Sequence, residues 1–178
     1  MIHFAKRIIQ VVQGEFRVSS CADEELSTIL GSCVAACIWD ECRGIGGMNH
    51  FLLAQSQGNP REPDNRYGVH AMEVLINGLL RAGARREALK AKLFGGAKIA
   101  ANLRDIGASN AEFARGFLRI EGIPCVADSL GGNQARRVTF HPATGRARQM
   151  LIPNDQVDET TLRKTPPKPA PTTSIELF

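Results

Sequence analysis

The sequence has no apolar run long enough to cross a membrane. Its longest mainly apolar stretch, residues 29–39, is interrupted by Gly31, Ser32 and Cys33, whereas a bilayer-spanning helix needs ~20 apolar residues. The first residues also lack a long apolar segment after their positive charges, so they are not typical of a secretory signal. We therefore expect a cytoplasmic protein with no stable membrane insertion.

The cysteine content favours reduced thiols over a disulfide framework. The 178 residues include five cysteines, and an odd number in a chain without a secretory signal indicates reduced thiols. No CxxC pair or other familiar zinc spacing is present. A chain of this length hides roughly two-thirds of its surface on folding, so it needs neither disulfides nor a metal for stability.

The charge is modest and unevenly distributed along the chain. There are 22 Lys and Arg against 18 Asp and Glu, and the acidic residues outnumber the basic ones by four to three from Asn154 onward, so residues 1–153 carry a net charge of about +5. Residues 158–178 hold four of the nine prolines and almost no apolar periodicity. We predict a domain over residues 1–157 and a flexible, proline-rich tail over 158–178. The last four residues are a candidate docking peptide, although an unstructured end is the ordinary expectation.

The order of secondary-structure signals predicts a mixed α/β or α+β sheet protein. Residues 8–18 predict two short strands or one bulged strand, and helical spacing over 69–80 predicts a helix that Gly83 ends. A possible capping box at 109–112 predicts the start of a second helix, which ends at Gly122. The strand-like runs that follow are 124–130, 137–141 and 148–152, with a hairpin turn at 142–145.

Positive charge concentrates in residues 81–98, which hold six basic side chains against Glu87 alone. This segment has only one aromatic residue, Phe94, and matches no groove-reading motif, which argues against nucleic acid as the partner. The simplest interpretation is a solvated helix end and strand edge. The functional alternative is a docking face for an acidic protein.

The segment from Ser27 to Leu53 is the one that predicts chemistry. Two apolar strands, 34–39 and 45–53, are separated by a polar turn at 40–43 and then Gly44. If the loop closes on residues 39 and 44, the numbers of paired residues sum to 83, and Cys33 lies opposite His50. Directly opposed residues have Cβ atoms about 5 Å apart, so the spacing predicts a Cys/His dyad.

Such a dyad would support nucleophilic catalysis. An imidazolium beside the sulfur lowers the thiol pKa and favours the thiolate, and backbone N–H groups near Gly31 and Ser32 could stabilise an oxyanion. Two alternatives stay open. Cys33 and His50 could be ordinary core residues, or Cys33, Cys37 and His50, which share a strand face, could bind a metal.

A family resemblance rests on several collinear motifs. Residues 27–53 resemble the active-site region of the chemoreceptor glutamine deamidases called CheD, with a hydroxyl residue, Leu-Gly-Ser-Cys, a second cysteine in an apolar strand and Gly-x-x-His. Further matching segments follow in order and extend the resemblance over roughly residues 8–150. They are Tyr67, 91–97, 102–110 with Ile106 and Gly107, 131–137, and 144–145.

The resemblance implies roles for three residues. Cys33 corresponds to the nucleophile, His50 to its base, and Ser27 to a threonine hydroxyl six residues before the cysteine. Serine replaces threonine at that position and Thr28 is adjacent, so either hydroxyl could orient the imidazole; Ser27 is the predicted one. The implied fold is a layered α/β domain similar to the catalytic domain of cytotoxic necrotizing factors, with two packed sheets and flanking helices.

The implied activity is that of a cysteine-dependent protein-glutamine deamidase in bacterial chemotaxis. It would convert glutamines on the cytoplasmic helices of chemoreceptors to glutamate and release ammonia, without a cofactor or metal. Those helices are commonly rich in Glu and Gln, which makes them a candidate partner for the basic residues. The alternative is an adaptor that binds the chemotaxis phosphatase CheC with little catalysis of its own.

Overall fold

The computed structural model describes residues 5–55, 63–99, 105–154 and 175–178. This part of the chain forms twelve β-strands, two α-helices and one short 3-10 helix, Arg86–Ala88. In chain order, the strands are β1 Arg7–Gln10, β2 Phe16–Ser19, β3 Glu24–Leu30, β4 Val34–Asp40, β5 Ile45–Asn49, β6 Ala54–Gln55, β7 Pro63–Asp64, β8 Lys90–Gly95, β9 Cys125–Leu130, β10 Ala135–His141, β11 Arg146–Ile152 and β12 Ile175–Leu177. The helices are α1 Asn65–Arg81 and α2 Ile106–Glu121.

Ten of the strands form two five-stranded mixed sheets. The first sheet has the order β1-β3-β10-β11-β12, and the second has the order β2-β5-β4-β8-β9. The β1/β3 and β8/β9 pairs are parallel, and the other pairs in these sheets are antiparallel. Strands β6 and β7 pair separately.

Strand β4 explains how the layers stack, because all seven of its residues are buried. Successive side chains of a strand point to opposite faces. Ala35, Cys37 and Trp39 therefore pack in the core between the two sheets, while Val34 and Ile38 pack in the core that the second sheet shares with α1 and α2. Each large apolar side chain buried in this way contributes about 1.5–3 kcal/mol. The expected α+β architecture of two packed sheets with flanking helices is confirmed.

Several predicted elements are present as expected. The 8–18 region forms two strands, β1 and β2, rather than one bulged strand. Helix α1 ends just before Gly83 and α2 ends at Gly122. Strands β9, β10 and β11 match the three predicted runs, and residues 142–145 turn between the last two.

Helix α2 begins three residues earlier than the predicted capping box. Its N-cap is Asp105, whose side chain accepts from the N–H of Ala108 at 2.9 Å. Ser109 lies inside the helix. The prediction was wrong because Asp105 offers the same kind of cap one turn earlier.

The basic segment 81–98 is solvated at the helix end, where Arg81, Arg85 and Arg86 are exposed, but its strand is not at an edge. Strand β8 lies inside the second sheet, between β4 and β9, and Lys92 on it is buried. The Lys92 ammonium donates to the carbonyls of Gly145 and Phe178 and lies 5.2 Å from the ring centroid of Trp39. Other basic groups of the segment pair with carboxylates, as in Arg85 with Asp40. Four of the six basic groups are thus paired with carboxylates or buried, and a docking face for an acidic protein stays a prediction.

The end of the chain differs from the expected unstructured terminus. Residues 158–174 of the predicted tail lie outside the described residues, but β12 pairs antiparallel with β11. The Phe178 ring packs against Phe94, edge to face, with centroids 5.4 Å apart. These last four residues dock on the protein's own sheet.

No helix in the described ranges has both the length and the hydropathy that a membrane span needs.

Candidate active site

Cys33 lies just before β4, in a short segment whose backbone is tightly held. The carbonyl of Gly31 accepts from the N–H of Ala97 at 2.9 Å, and the carbonyl of Cys33 accepts from the N–H of Gly96 at 2.8 Å. Both donors follow directly after β8. The position of the thiol is therefore fixed by the neighbouring strand as well as by its own.

The hairpin that carries Cys33 and His50 is paired differently from the prediction. Its loop is 41–44, and an isolated bridge joins Val34 to Phe51, so the numbers of paired residues sum to 85 and not 83. Each residue is therefore paired with one that lies two positions from its predicted partner. Side chains alternate between faces with a period of two, so every side chain stays on the predicted face. Cys33 and His50 share a face but are diagonal neighbours, which in a regular pair lie roughly 7–8 Å apart. The prediction that they are directly opposed is wrong.

The Cys33 side chain is partly exposed, and its thiol contacts another side chain. Sγ donates to Oε1 of Gln13 at 3.6 Å. Desolvation raises the pKa of the Cys33 thiol to about 11, although a hydrogen bond from its own N–H acts in the opposite direction. The expected lowering of the thiol pKa by an imidazolium is therefore absent, and the resting group is a neutral thiol.

His50 is buried, and its hydrogen bonds define its tautomer. Nδ1 lies 2.8 Å from Oγ1 of Thr28, whose hydroxyl donates to the carbonyl of Val11 at 2.6 Å. Because the hydroxyl has one proton and uses it on that carbonyl, Oγ1 must accept from Nδ1–H. Nε2 is then the basic nitrogen, and it has no hydrogen-bond partner in the described part of the chain.

Burial also keeps the imidazole neutral. Desolvation lowers the pKa of His50 to about 4, and the nearby Val11 carbonyl only partly offsets this. Near neutral pH the imidazole is therefore uncharged, and Nε2 carries the lone pair. Cys33 and His50 are therefore a neutral thiol and a neutral imidazole, and not a preformed thiolate and imidazolium.

The structure brings Thr28, and not Ser27, to the imidazole. In β3, Leu26 and Leu30 face the core between the sheets, and Thr28 shares their parity. Ser27 points to the other face, where its hydroxyl donates to the carbonyl of Val138 at 3.1 Å and the side chain lines a cavity of about 440 Å³. Since adjacent residues of a strand face opposite sides, only one hydroxyl can reach His50. The choice of Ser27 is thus corrected to Thr28.

Two backbone N–H groups beside the thiol are available to a ligand. Among the described residues, the N–H of Ser32 has no acceptor, and that of Cys33 has only its own sulfur. Neighbouring free N–H groups next to a nucleophile can stabilise the negative charge of a tetrahedral intermediate. An oxyanion site near Gly31 and Ser32 stays a prediction.

The remaining cysteines lie away from this arrangement. Cys37 is buried in the core between the sheets, whereas Cys21, Cys42 and Cys125 are exposed. In the ranges that the structure describes, no three or more His, Cys, Asp or Glu side chains are grouped as a metal site requires.

The sequence reasoning missed the turn between β1 and β2. This turn carries Gln13 to the thiol of Cys33, and the N–H of Gly14 donates to the carbonyl of His50 at 2.8 Å. The signal was available, because Gly14 separates two apolar stretches and marks a turn. What could not be read from it is that the turn lies against the Cys/His hairpin.

The structure has partial likeness to two solved proteins. One is a hypothetical protein, YfiH, from Bacillus licheniformis, with 15% identity and a TM-score of 0.44 over 70% of this chain and 59% of that one. The other is a DUF152 protein from Neisseria meningitidis, with 12% identity and a TM-score of 0.47 over 79% of this chain and 72% of that one.

Sequence comparison gives stronger matches. A family model described as CheD chemotactic sensory transduction matches residues 52–150, more than half of the chain. Proteins named probable chemoreceptor glutamine deamidase CheD are similar over nearly the full length. The one from Caulobacter vibrioides strain NA1000 is 53% identical over 96% of this chain and 92% of its own. The one from Rhizobium leguminosarum bv. trifolii is 50% identical over all of both chains. This chain belongs to the CheD family.

Proposed function

We propose that this protein is a chemoreceptor glutamine deamidase that uses Cys33 as its nucleophile and His50 as its general base. The observation that carries the proposal is the tautomer of the imidazole, that is, which of its nitrogens is protonated. Nδ1–H is committed to Thr28, while the basic Nε2 has no partner in the described residues and the ring shares a strand face with Cys33. The names of the relatives support glutamine amides of chemoreceptors as the substrate.

The first half of the reaction forms a thioester. Nε2 of His50 takes the Sγ proton, and the sulfur attacks the carboxamide carbon of a receptor glutamine, forming a C–S bond. The carbonyl oxygen becomes an oxyanion that the N–H groups of Ser32 and Cys33 stabilise. The imidazolium then protonates the amide nitrogen, the C–N bond breaks, and ammonia leaves.

The second half of the reaction uses water. Neutral His50 removes a proton from a water molecule, which attacks the thioester carbon, and the C–S bond breaks. The Cys33 sulfur regains the proton, and the product is glutamate. Thr28 keeps Nδ1 protonated throughout, so that Nε2 remains the nitrogen that exchanges protons. No step needs a cofactor.

The neighbourhood of the thiol supports an amide as the substrate. The side chain of Gln13 already brings a carboxamide to 3.6 Å from Sγ. Gln13 is exposed on a turn, so an incoming glutamine side chain can displace it and occupy the same position. Action on the cytoplasmic helices of receptors, in the cytoplasm, follows from the same proposal. Binding of a CheC-type phosphatase stays a prediction.

The deciding experiment incubates the cytoplasmic fragment of a cognate receptor with wild-type protein, with Cys33→Ala and with the control Cys42→Ala. Cys42 is an exposed thiol in the β4–β5 loop, so its removal tests for nonspecific thiol effects. Peptide mass spectrometry should find glutamine converted to glutamate with wild type and Cys42→Ala only. Conversion that persists in Cys33→Ala would contradict the mechanism, and none with wild type would favour the adaptor alternative.

A further inference from the structure

The Asn110 side chain forms hydrogen bonds with both the Cys33 segment and the His50 segment of the candidate site. It lies in the second turn of α2 and is fully buried. Its Nδ2 donates to the carbonyl of Ser32 at 2.8 Å, and its Oδ1 accepts from the N–H of Leu53 at 2.9 Å. One side chain thus holds both the residue before the nucleophile and the segment three residues after His50.

The bond to Ser32 completes a run of three restrained carbonyls. Those of Gly31, Ser32 and Cys33 accept, in turn, from Ala97, from Asn110 and from Gly96. The two backbone donors lie next to α2, because a Cβ on Gly107 would collide with the carbonyl oxygens of residues 96 and 97. All three carbonyls therefore point towards one region of the fold, formed by residues 96–97 and α2.

The direction of these carbonyls determines the direction of the free N–H groups. In a trans peptide, the C=O of one residue and the N–H of the next point to opposite sides, and the described residues contain no cis peptide. The N–H of Ser32 therefore points away from Ala97, and that of Cys33 points away from Asn110. Both N–H groups therefore point away from the side on which residues 96–97 and α2 hold the carbonyls.

We propose that Asn110 is a positioning residue for the deamidation reaction, which orients the Ser32–Cys33 peptide so that its N–H stabilises the oxyanion. The inference rests on the proposed function. Asn110 does not touch the thiol or the imidazole in the structure; it acts through the backbone. Catalysis depends on this restraint, because a donor that is displaced by about 1 Å loses much of its effect on the transition state.

Asparagine suits this position because one carboxamide donates and accepts at once. Aspartate can keep the bond from Leu53 but has no N–H for the Ser32 carbonyl and places two acceptors side by side. Alanine removes both bonds. The two substitutions therefore separate the link to Ser32 from the link to Leu53.

The experiment compares Asn110→Asp, Asn110→Ala and the control Asp40→Asn on the receptor fragment. Asp40 is a matched control, because it is also fully buried and accepts from the N–H groups of Arg43 and Arg85. It lies at the far end of β4, about 20 Å along the strand from Cys33. The readouts are kcat, KM, the alkylation rate of Cys33 by iodoacetamide, and the thermal midpoint.

Both Asn110 variants should lower kcat on the order of 100-fold, with KM and the alkylation rate within about threefold of wild type. Alkylation needs an accessible Cys33 thiolate but develops no oxyanion, so it distinguishes a misdirected N–H group from a disordered site. The Asp40→Asn variant should lose thermal stability but keep kcat.

The inference is overturned if kcat is unchanged in Asn110→Asp, or if kcat and the alkylation rate fall together in both Asn110 variants. Failure of the proposed function would look different, because wild-type protein would then convert no glutamine, or Cys33→Ala would still convert it.

Discussion

The hydroxyl of Thr28 lies 2.8 Å from Nδ1 of His50 and donates a hydrogen bond to the carbonyl of Val11. This relay extends from the β1–β2 connection through β3 to the segment after β5. As a result, Nε2 is the unprotonated nitrogen of the ring, and it has no hydrogen-bond partner among the described residues. The neighbouring hydroxyl of Ser27, one residue away, has no part in it.

Removing the Thr28 hydroxyl should impair catalysis. We expect Thr28→Val to lower kcat about 10- to 100-fold, because Nδ1 then has only the longer contact to the Val11 carbonyl, at 3.4 Å, to hold its proton and orient the ring. Valine keeps the shape and β-branching of the side chain. Ser27→Ala is the matched control and should stay within about twofold. Steady-state deamidation of the receptor fragment measures both, and a larger loss in Ser27→Ala would contradict the assignment.

The reactivity of Cys33 should increase with pH well above neutrality. The thiolate is the reactive species, and burial raises the pKa of Cys33 to about 11. The alkylation rate should therefore increase about tenfold per pH unit between pH 7 and 10. Iodoacetamide labelling of Cys33, followed by peptide mass spectrometry, measures this rate. A plateau between pH 5 and 8 would indicate a preformed ion pair instead.

A negative charge at position 13 should lower the reactivity of the Cys33 thiol. Gln13→Glu puts a carboxylate beside Sγ, which opposes formation of the thiolate and raises the pKa of Cys33 further. At pH 8 we expect alkylation to slow on the order of tenfold. Gln13→Leu is the control, because it removes the amide without adding charge. Equal alkylation rates for the two variants would mean that the side chain at position 13 does not approach the sulfur in solution.

His50 should make the fold sensitive to acid. Its folded-state pKa is about 4, below the ordinary 6.5, so the unfolded state binds more protons between these values and stability falls as the pH falls. Between pH 7 and pH 5 the loss should be about 2 kcal/mol. Urea unfolding at both pH values should show a smaller loss for His50→Gln, while the exposed His70→Gln should behave like wild type.

The last residue should contribute to stability, and its exposed neighbour should not. Phe178 packs edge to face on Phe94, whereas the Leu177 side chain is 83% exposed. We expect Phe178→Ala to lower the free energy of unfolding by about 1–2 kcal/mol, and Leu177→Ala to change it by less than about 0.5 kcal/mol. Chemical denaturation measures both values. Equal effects would mean that β12 is not docked in solution.

The errors of the sequence analysis share a physical origin. The predicted turn at 40–43 was displaced by one position, because several polar residues and Gly44 could all form the loop and only the packing of β4 and β5 selects among them. The interior position of β8 was missed because its lysines suggested a surface. The Lys92 ammonium can be buried because main-chain oxygen atoms of two other segments accept its hydrogen bonds. The local sequence around Lys92 does not reveal these partners.

The layered two-sheet architecture was implied by the resemblance to the CheD family, whereas the residues alone indicated a mixed α/β or α+β sheet protein, the C-terminal ends of both helices and the common face of Cys33 and His50. These follow from local rules, since side-chain parity survives a register error of two and a glycine ends a helix wherever it packs. The tertiary structure shows which hydroxyl meets the imidazole, which imidazole nitrogen carries the proton and that Asn110 holds the backbone of Ser32. Each of these depends on atoms far apart in the chain, and hydrogen-bond geometry distinguishes adjacent residues that composition and spacing leave equivalent.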